Sequence, residues 1–100
     1  MRDDYKIILE LIPENSKVLD IGCSDGELIS LLSKKNISAQ GVELNQEKVI
    51  SCLEKGLDVI HGDINLMVED FPKNQFDYCI LTQTIQAVQK PDVLLNTLKN

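Results

Sequence analysis

Carboxylates and glycines stand together in three places along this chain. Asp20 lies in a short apolar run and is followed closely by Gly22 and Gly26. Glu43 closes a second run, and Asp63 follows a third. Glycine is needed where a backbone turns tightly and a ligand passes close to it, and a carboxylate accepts hydrogen bonds from hydroxyl and amine groups. If the three runs are parallel strands of one sheet, these residues meet at its carboxyl ends and predict a binding site there.

The spacing of the glycines distinguishes between two nucleotide cofactors. The dinucleotide fingerprint G-x-G-x-x-G requires glycines at 22, 24 and 27, and only position 22 holds one. The acid-x-G-x-G-x-G pattern of S-adenosylmethionine sites requires an acid at 20 and glycines at 22, 24 and 26. Asp20, Gly22 and Gly26 match that pattern, and Ser24 departs from it. The spacing therefore predicts S-adenosylmethionine as the cofactor and argues against NAD.

The two later carboxylates have candidate roles toward such a cofactor. Glu43 can accept hydrogen bonds from both ribose hydroxyls, as the acid about 20 residues beyond a Rossmann glycine loop does. Asp63 can accept a hydrogen bond from the exocyclic amine of adenine, while an apolar neighbour covers the ring. Simpler explanations stay open for all three acids. Asp20 can cap a turn, Glu43 can be a solvated strand end, and Asp63 can be a turn residue next to a glycine.

Ser24 and His61 have structural explanations as well. Ser24 and Glu27, three residues later, have the form of a capping box for the next helix, which would explain a serine in place of glycine. His61 is the only histidine and has no acidic or serine partner in any motif, so we expect it in a loop or at a sheet edge.

Helical and strand signals alternate along the chain, which predicts an α/β fold with a parallel sheet and flanking helices. No repeat or linker divides residues 1–100, so they are expected to form one domain or one piece of a domain. The last predicted helix would normally lead to a fifth strand, and the fourth strand is left as an apolar sheet edge. We therefore expect a chain truncated after the fourth strand. The predicted helices cover 5–12, 26–35, 46–55, 65–71 and 91–99, and the predicted strands cover 17–21, 38–43, 57–60 and 76–81.

Composition narrows the classes of partner. The net charge is −6 and the cations are scattered, so the chain lacks the basic patch of a nucleic-acid binder. No apolar run approaches the ~20 residues of a membrane span, and the acidic start does not resemble a signal peptide, so a cytoplasmic location is expected. Cys23, Cys52 and Cys79 lie far apart without a C-x-x-C pair. That spacing predicts reduced thiols, with Cys52 and Cys79 in the core, and neither a disulfide frame nor a zinc site.

Over nearly its whole length the chain resembles the MetW family of methionine biosynthesis proteins, within the class I methyltransferase superfamily. The most specific part is the Gln-Thr-x-Gln stretch after the fourth predicted strand, Gln83–Gln86. Ser24 departs from the family by replacing its middle glycine, and Asn45 stands where an aspartate is usual. The chain also ends before the remaining strands of the family. The matching segments are 4–5, 12–13, 17–23, 25–26, 41–43, 62–63, 71–72, 76–78 and 80–87.

The resemblance implies a class I methyltransferase-like Rossmann fold, S-adenosylmethionine as cofactor, and a place in methionine biosynthesis beside homoserine O-acyltransferase. That acyltransferase uses a Ser-His-Asp triad, whereas this chain has no G-x-S-x-G elbow and a single histidine. Two functions follow as alternatives: a methyltransferase-like enzyme, or a non-catalytic partner or regulator of the acyltransferase. The residues expected to bind the cofactor are Asp20, Gly22, Cys23, Ser24, Gly26, Glu43, Leu44, Asp63, Ile64 and Thr82. The residues expected to face a methyl acceptor are Gln83, Thr84 and Gln86, all neutral and none a convincing base.

Overall fold

Helices and strands alternate along the chain, and the strands form one sheet, as the sequence predicts. The computed structural model describes residues 3–67 and 75–81, and for 86–89 the backbone alone. The helices are α1 (Asp3–Leu11), α2 (Glu27–Lys34), α3 (Gln46–Glu54) and α4 (Ile64–Met67), and the strands are β1 (Lys17–Ile21), β2 (Ser38–Glu43), β3 (Val59–His61), β4 (Tyr78–Leu81) and β5 (Gln86–Gln89).

The strands lie side by side in the order β3-β2-β1-β4-β5. The first four strands of that order run parallel, with Asp20 of β1 between Gly41 of β2 and Ile80 of β4. The chain adds β2 and β3 on one side of β1 and then crosses to place β4 on the other side. The strand order therefore reverses between β1 and β4, which is where open α/β sheets place their ligands.

The expected free edge at the fourth strand is wrong. β4 pairs with β1 on one side and with the antiparallel β5 on the other, where Leu81 lies opposite Gln86. An antiparallel neighbour needs only a short connection, and four residues separate the two strands. The Gln-Ala-Val-Gln sequence of β5 carries no strong strand signal, so the predicted strands do not include Gln86.

Apolar side chains cover both faces of the sheet, because successive residues of a strand point in opposite directions. Val18 packs with Ile8 of α1 and Leu32 of α2 in one cluster. Leu19, the next residue, packs with Ile64 and residues of β2 and β4 in another. A third cluster joins the residues after β1 to α3. The part of the chain that the structure describes holds no helix long and apolar enough to cross a membrane.

Most element boundaries agree with the sequence prediction. β1 and β2 have the predicted limits, and α2 and α3 are shorter by one or two residues. β3 begins two residues later than predicted because the N–H of Leu57 still bonds to the carbonyl of Cys52 in α3. Gly56 has a left-handed conformation just after α3, where glycine often ends a helix. The helix predicted at 91–99 lies outside the described residues.

Candidate functional site

A cleft of about 270 Å³ opens at the carboxyl ends of the parallel strands. Its walls combine the end of β1, the end of β2, the start of α4 and the end of β4. Gly22, Glu43, Leu44, Asp63 and Ile64, all predicted site residues, line it together. The topology therefore brings the sequence motifs of three separate strands to one place, at the reversal of strand order.

The loop between β1 and α2 explains the alternating glycine pattern. Gly22, Ser24 and Gly26 all have positive φ, at 75°, 55° and 84°. Only glycine adopts that left-handed region without a steric penalty. Backbone bonds from Gly22 and Cys23 to the carbonyl of Val42 fasten the start of this loop to β2. All three positions of the glycine pattern therefore require a left-handed backbone conformation. Ser24 adopts that conformation with steric strain.

The capping box expected for Ser24 is wrong. Gly26, not Ser24, is the N-cap of α2, and no side chain bonds at that cap. Instead, the carboxylate of Asp25 accepts a hydrogen bond from the N–H of Glu27 at 3.2 Å. Ser24 lies two residues before the N-cap Gly26, and its left-handed φ carries the chain through the loop, so its hydroxyl is not where a cap must be.

Glu43 is the most constrained polar side chain of the cleft. It is buried, with 9% of its surface exposed, and each carboxylate oxygen accepts a backbone hydrogen bond. Oε1 accepts from the N–H of Ser24 at 2.7 Å, and Oε2 accepts from the N–H of Asn45 at 2.9 Å. Glu43 therefore ties the loop after β1 to the loop after β2, and it is not the solvated strand end left open above. Asn45, in turn, caps α3 by accepting from the N–H of Lys48.

Asp63 lines the same cleft as Glu43 and is half-buried. Its Oδ1 accepts the N–H of Asn65 at 2.9 Å, so it caps the short helix α4. A carboxylate has more acceptor positions than one such bond uses. Leu44, on the wall beside Glu43, is 66% exposed. An apolar side chain held in solvent next to two carboxylates is what a flat aromatic ligand would cover.

Asp20 is fully buried between its neighbouring strands and does not line the cleft. Its charge acts on nearby thiols. Burial, and to a lesser extent Asp20, raise the pKa of Cys79 to about 12 and that of Cys23 even further above its ordinary value. All three cysteines are free and buried, so Cys52 and Cys79 lie in the core as predicted. Among the described residues no group of histidines, cysteines and acids could hold a metal ion.

His61 lies exposed at the end of β3, and its Nε2 is 2.9 Å from the carbonyl oxygen of Leu44. The ring therefore supports the cleft wall from outside. This position agrees with the expected sheet-edge role.

Comparison with known proteins identifies the family of this chain. The model of the family described as methionine biosynthesis protein MetW matches residues 2–99. The chain belongs to the MetW family. A curated relative from Rhodopirellula baltica, the bifunctional methionine biosynthesis protein MetXA/MetW, is 38% identical over 95% of this chain. A probable tRNA (uracil-O(2)-)-methyltransferase of Caenorhabditis elegans is 28% identical over 72% of it. This MetW chain spans 17% and 13% of the length of those two proteins.

Solved structures similar to this MetW chain include SAM-dependent methyltransferases. A SAM-dependent methyltransferase from Archaeoglobus fulgidus superposes with a TM-score of 0.69 and 25% identity, over 76% of this chain and 34% of that one. A TehB-like SAM-dependent methyltransferase from Corynebacterium glutamicum superposes with a TM-score of 0.62 and 21% identity, over 77% and 42% of the two chains. The MetW chain therefore has the Rossmann-like class I methyltransferase fold.

The remaining predicted site residues of the MetW chain lie beside the cleft or outside the described part of the chain. Cys23, Ser24 and Gly26 form the loop behind Gly22 and do not themselves line the cleft. Thr82, Gln83 and Thr84 lie outside the described residues, and Gln86 is described only as backbone of β5.

Sequence reasoning missed several lining residues. Each one is a sequence neighbour of a predicted residue or the last residue of a strand, so the rule that ligands meet strand ends would have found them. They are Ile21, Val42, Gly62, Asn65 and Leu81.

Proposed function

We propose that the cleft binds S-adenosylmethionine and that the chain acts as a methyltransferase-like protein of methionine biosynthesis. The observation that carries this proposal is the left-handed conformation at positions 22, 24 and 26, with the N–H of Ser24 bonded to the buried Glu43. It is the backbone shape that the acid-x-G-x-G-x-G pattern encodes. The fold of the A. fulgidus methyltransferase, which is named SAM-dependent, supports the same cofactor.

The residues of the cleft have the chemistry that an adenosyl group requires. Glu43, at the end of β2, would accept hydrogen bonds from the ribose hydroxyls, since a carboxylate oxygen can accept more than one hydrogen bond. Asp63 would accept a hydrogen bond from the adenine amine, and the exposed Leu44 would cover the adenine ring. Gly22 lets the backbone of the loop approach the ligand closely.

The cofactor supplies an activated methyl group when bound, and the chain supplies position. Methyl transfer from a sulfonium depends mainly on alignment of the acceptor behind the methyl group. A general base is therefore not required of every acceptor. Gln83, Thr84 and Gln86 remain the proposed acceptor-side residues, since they follow β4 in sequence and β4 lies at the switch of strand order.

Calorimetric titration tests the cofactor assignment. S-adenosylmethionine and its demethylated product should bind the purified chain, and NAD should not. Glu43→Ala should weaken the complex by roughly 10- to 150-fold, the equivalent of a hydrogen bond to a charged group. Tighter binding of NAD, or unchanged affinity in Glu43→Ala, would refute the assignment.

A second function is favoured by one specific observation. In the R. baltica relative, whose name joins MetXA to MetW, the region similar to this chain forms 17% of a bifunctional protein. We propose as the alternative that this chain is a partner or regulator of homoserine O-acyltransferase and adds no catalytic group. Both functions would be cytoplasmic.

The partner proposal is tested by a pull-down combined with an acyl-transfer assay. The chain should be retained by homoserine O-acyltransferase and should change its rate, and Glu43→Ala should retain that effect if the cofactor is not involved. Absence of both retention and rate change would remove the partner role and leave the methyltransferase function. An open cavity beside the methyl group in the cofactor complex would favour catalysis over regulation.

A further inference from the structure

The backbone of Ser24 is held by one hydrogen bond at its N–H and another at its carbonyl oxygen. On one side its N–H donates to Oε1 of Glu43 at 2.7 Å. On the other side its carbonyl oxygen accepts the thiol of Cys52, with sulfur and oxygen 3.3 Å apart. Glu43 belongs to β2 and Cys52 to α3, so two different elements fix one residue of the loop. That residue is also the loop's strained, non-glycine position, with φ at 55°.

Cys52 packs against the next turn of the loop as well. Its side chain is fully buried. A Cβ atom added to Gly26 would lie 3.1 Å from the sulfur of Cys52 and would overlap the side chain of Leu57. The close fit means that α3 shapes both the Ser24 carbonyl and the left-handed turn at Gly26. Cys52 is therefore more than the small core residue that sequence reasoning expected.

The thiol of Cys52 can act as a donor only while it is protonated. Burial raises the pKa of Cys52, so the thiol keeps its proton at neutral pH. The thiol of Cys23 also approaches the Ser24 carbonyl, at 4.0 Å, and interacts with Cys52. At 3.3 Å from the carbonyl oxygen, the sulfur of Cys52 makes the closer contact of the two.

We propose that Cys52 and Glu43 are positioning residues that hold the Ser24 peptide in its left-handed conformation and so shape the cofactor loop before any ligand arrives. Without these two bonds the serine would favour a right-handed or extended conformation, and the part of the loop between Cys23 and Gly26 would lose its shape. The consequence for ligand affinity rests on the proposed function, whereas the shape of the loop does not.

Amide hydrogen exchange of the ligand-free protein tests the loop directly. The rate at Ser24 is measured relative to Leu19, a buried residue of β1 that reports global opening. In Glu43→Gln the relative exchange of Ser24 should rise roughly 10- to 150-fold, as expected for loss of a charge-assisted bond. In Cys52→Ala it should rise about two- to fivefold, as expected for a weak S–H···O bond.

Two further variants separate positioning from packing. Cys52→Ser retains a donor at the same place and should restore the wild-type ratio. Cys79→Ala removes an equally buried thiol from the other cluster, away from the loop, and should leave the ratio unchanged. If Cys79→Ala accelerates Ser24 as much as Cys52→Ala does, or if Cys52→Ser fails to restore protection, Cys52 has no positioning role.

The ligand arm uses calorimetry with S-adenosylhomocysteine on the same variants. Cys52→Ala should bind about two- to fivefold more weakly than wild type, and Cys52→Ser should bind equally well. Equal affinity in Cys52→Ala would overturn the effect on the ligand. If wild type itself does not bind, the proposed function fails, and the exchange data alone then decide whether Cys52 and Glu43 position the loop.

Discussion

Glu43 and Asp63 both follow strands of the same sheet, and both line the same cleft. Their side chains are nevertheless engaged differently. Glu43 is buried and bonds to the backbone of two loops, reaching Ser24 across 19 positions of sequence. Asp63 is half-buried, and its bond to Asn65 closes a turn within its own segment. One carboxylate joins parts of the fold, and the other stabilises only the start of α4.

The difference follows from where each strand lies. β2 is flanked by β1 and β3, so the residue at its end has the loop after β1 beside it. β3 is the outermost strand in the described order, so the residue after it has a neighbouring strand on one side only. A carboxylate at an interior strand end can therefore build the site, whereas one at an outer strand end caps its own turn and keeps acceptor capacity for a ligand.

Substitution of Glu43 should have the largest effect on stability. In Glu43→Gln one amide oxygen must serve two N–H donors, and the amide nitrogen faces the second donor. We expect the free energy of unfolding to fall by about 1.5–3 kcal/mol, measured by urea denaturation. Asp58→Asn, which removes an exposed carboxylate bonded to Gln40, is the matched control and should change stability little. A loss as small as that of the control would remove the distinction between Glu43 and Asp63.

Asp20 extends the comparison to a buried carboxylate whose charge acts on a nearby thiol. Burial and Asp20 raise the pKa of Cys79 from 9.0 to about 12, so the folded chain keeps a proton that the unfolded chain releases. This contribution to stability is complete below pH 9 and is lost as the pH rises toward 12. We expect the free energy of unfolding to fall in that window by at most about 1.4 kcal/mol per pH unit for this thiol.

Urea denaturation at a series of alkaline pH values measures that slope. Cys79→Ala should have a shallower slope than wild type, because its unfolded chain has one thiol fewer to titrate. An unchanged slope in Cys79→Ala would show that this thiol does not titrate differently in the two states.

The sequence allowed much of this arrangement to be predicted, for identifiable reasons. Alternation of helical and strand patterns defined β1 and β2 to the residue, and the glycine spacing identified the loop. The pairing of β5 was not predicted because a short polar strand has no periodic signal of its own. The two hydrogen bonds to the backbone of Ser24 were not predicted either. Glu43 and Cys52 lie 19 and 28 positions away in sequence, and no local pattern encodes such contacts.

Asp63 should separate its two roles when it is replaced conservatively. Asn caps helices as well as Asp does, so Asp63→Asn should retain stability, while Asp63→Ala should lose about 1 kcal/mol. Both variants should bind S-adenosylhomocysteine more weakly, since Asn would use its oxygen at the cap and present an NH₂ group to the adenine amine. Denaturation and calorimetry on the pair measure the two effects. Full affinity in Asp63→Asn would restrict Asp63 to the turn.

Ser24→Gly should change stability in the opposite direction. Ser24→Gly relieves a left-handed strain of about 1–2 kcal/mol but adds about 0.4–1 kcal/mol of chain entropy to the unfolded state. We expect a net gain of up to about 1.6 kcal/mol, detected as a higher denaturation midpoint. Ser24→Ala keeps the strain and serves as the control. A loss of stability in Ser24→Gly would mean that the serine hydroxyl makes a stabilising contact.

The central claim is that the loop after β1 and the carboxylate after β2 form one adenosyl-binding site. A crystal structure of the chain with S-adenosylmethionine tests this most directly. The account predicts the ribose hydroxyls within hydrogen-bond distance of Glu43, the adenine against Leu44 with its amine at Asp63, and positive φ retained at Ser24. A ligand bound elsewhere on the molecule, or an adenosyl group in the cleft that makes no contact with Glu43, would contradict it.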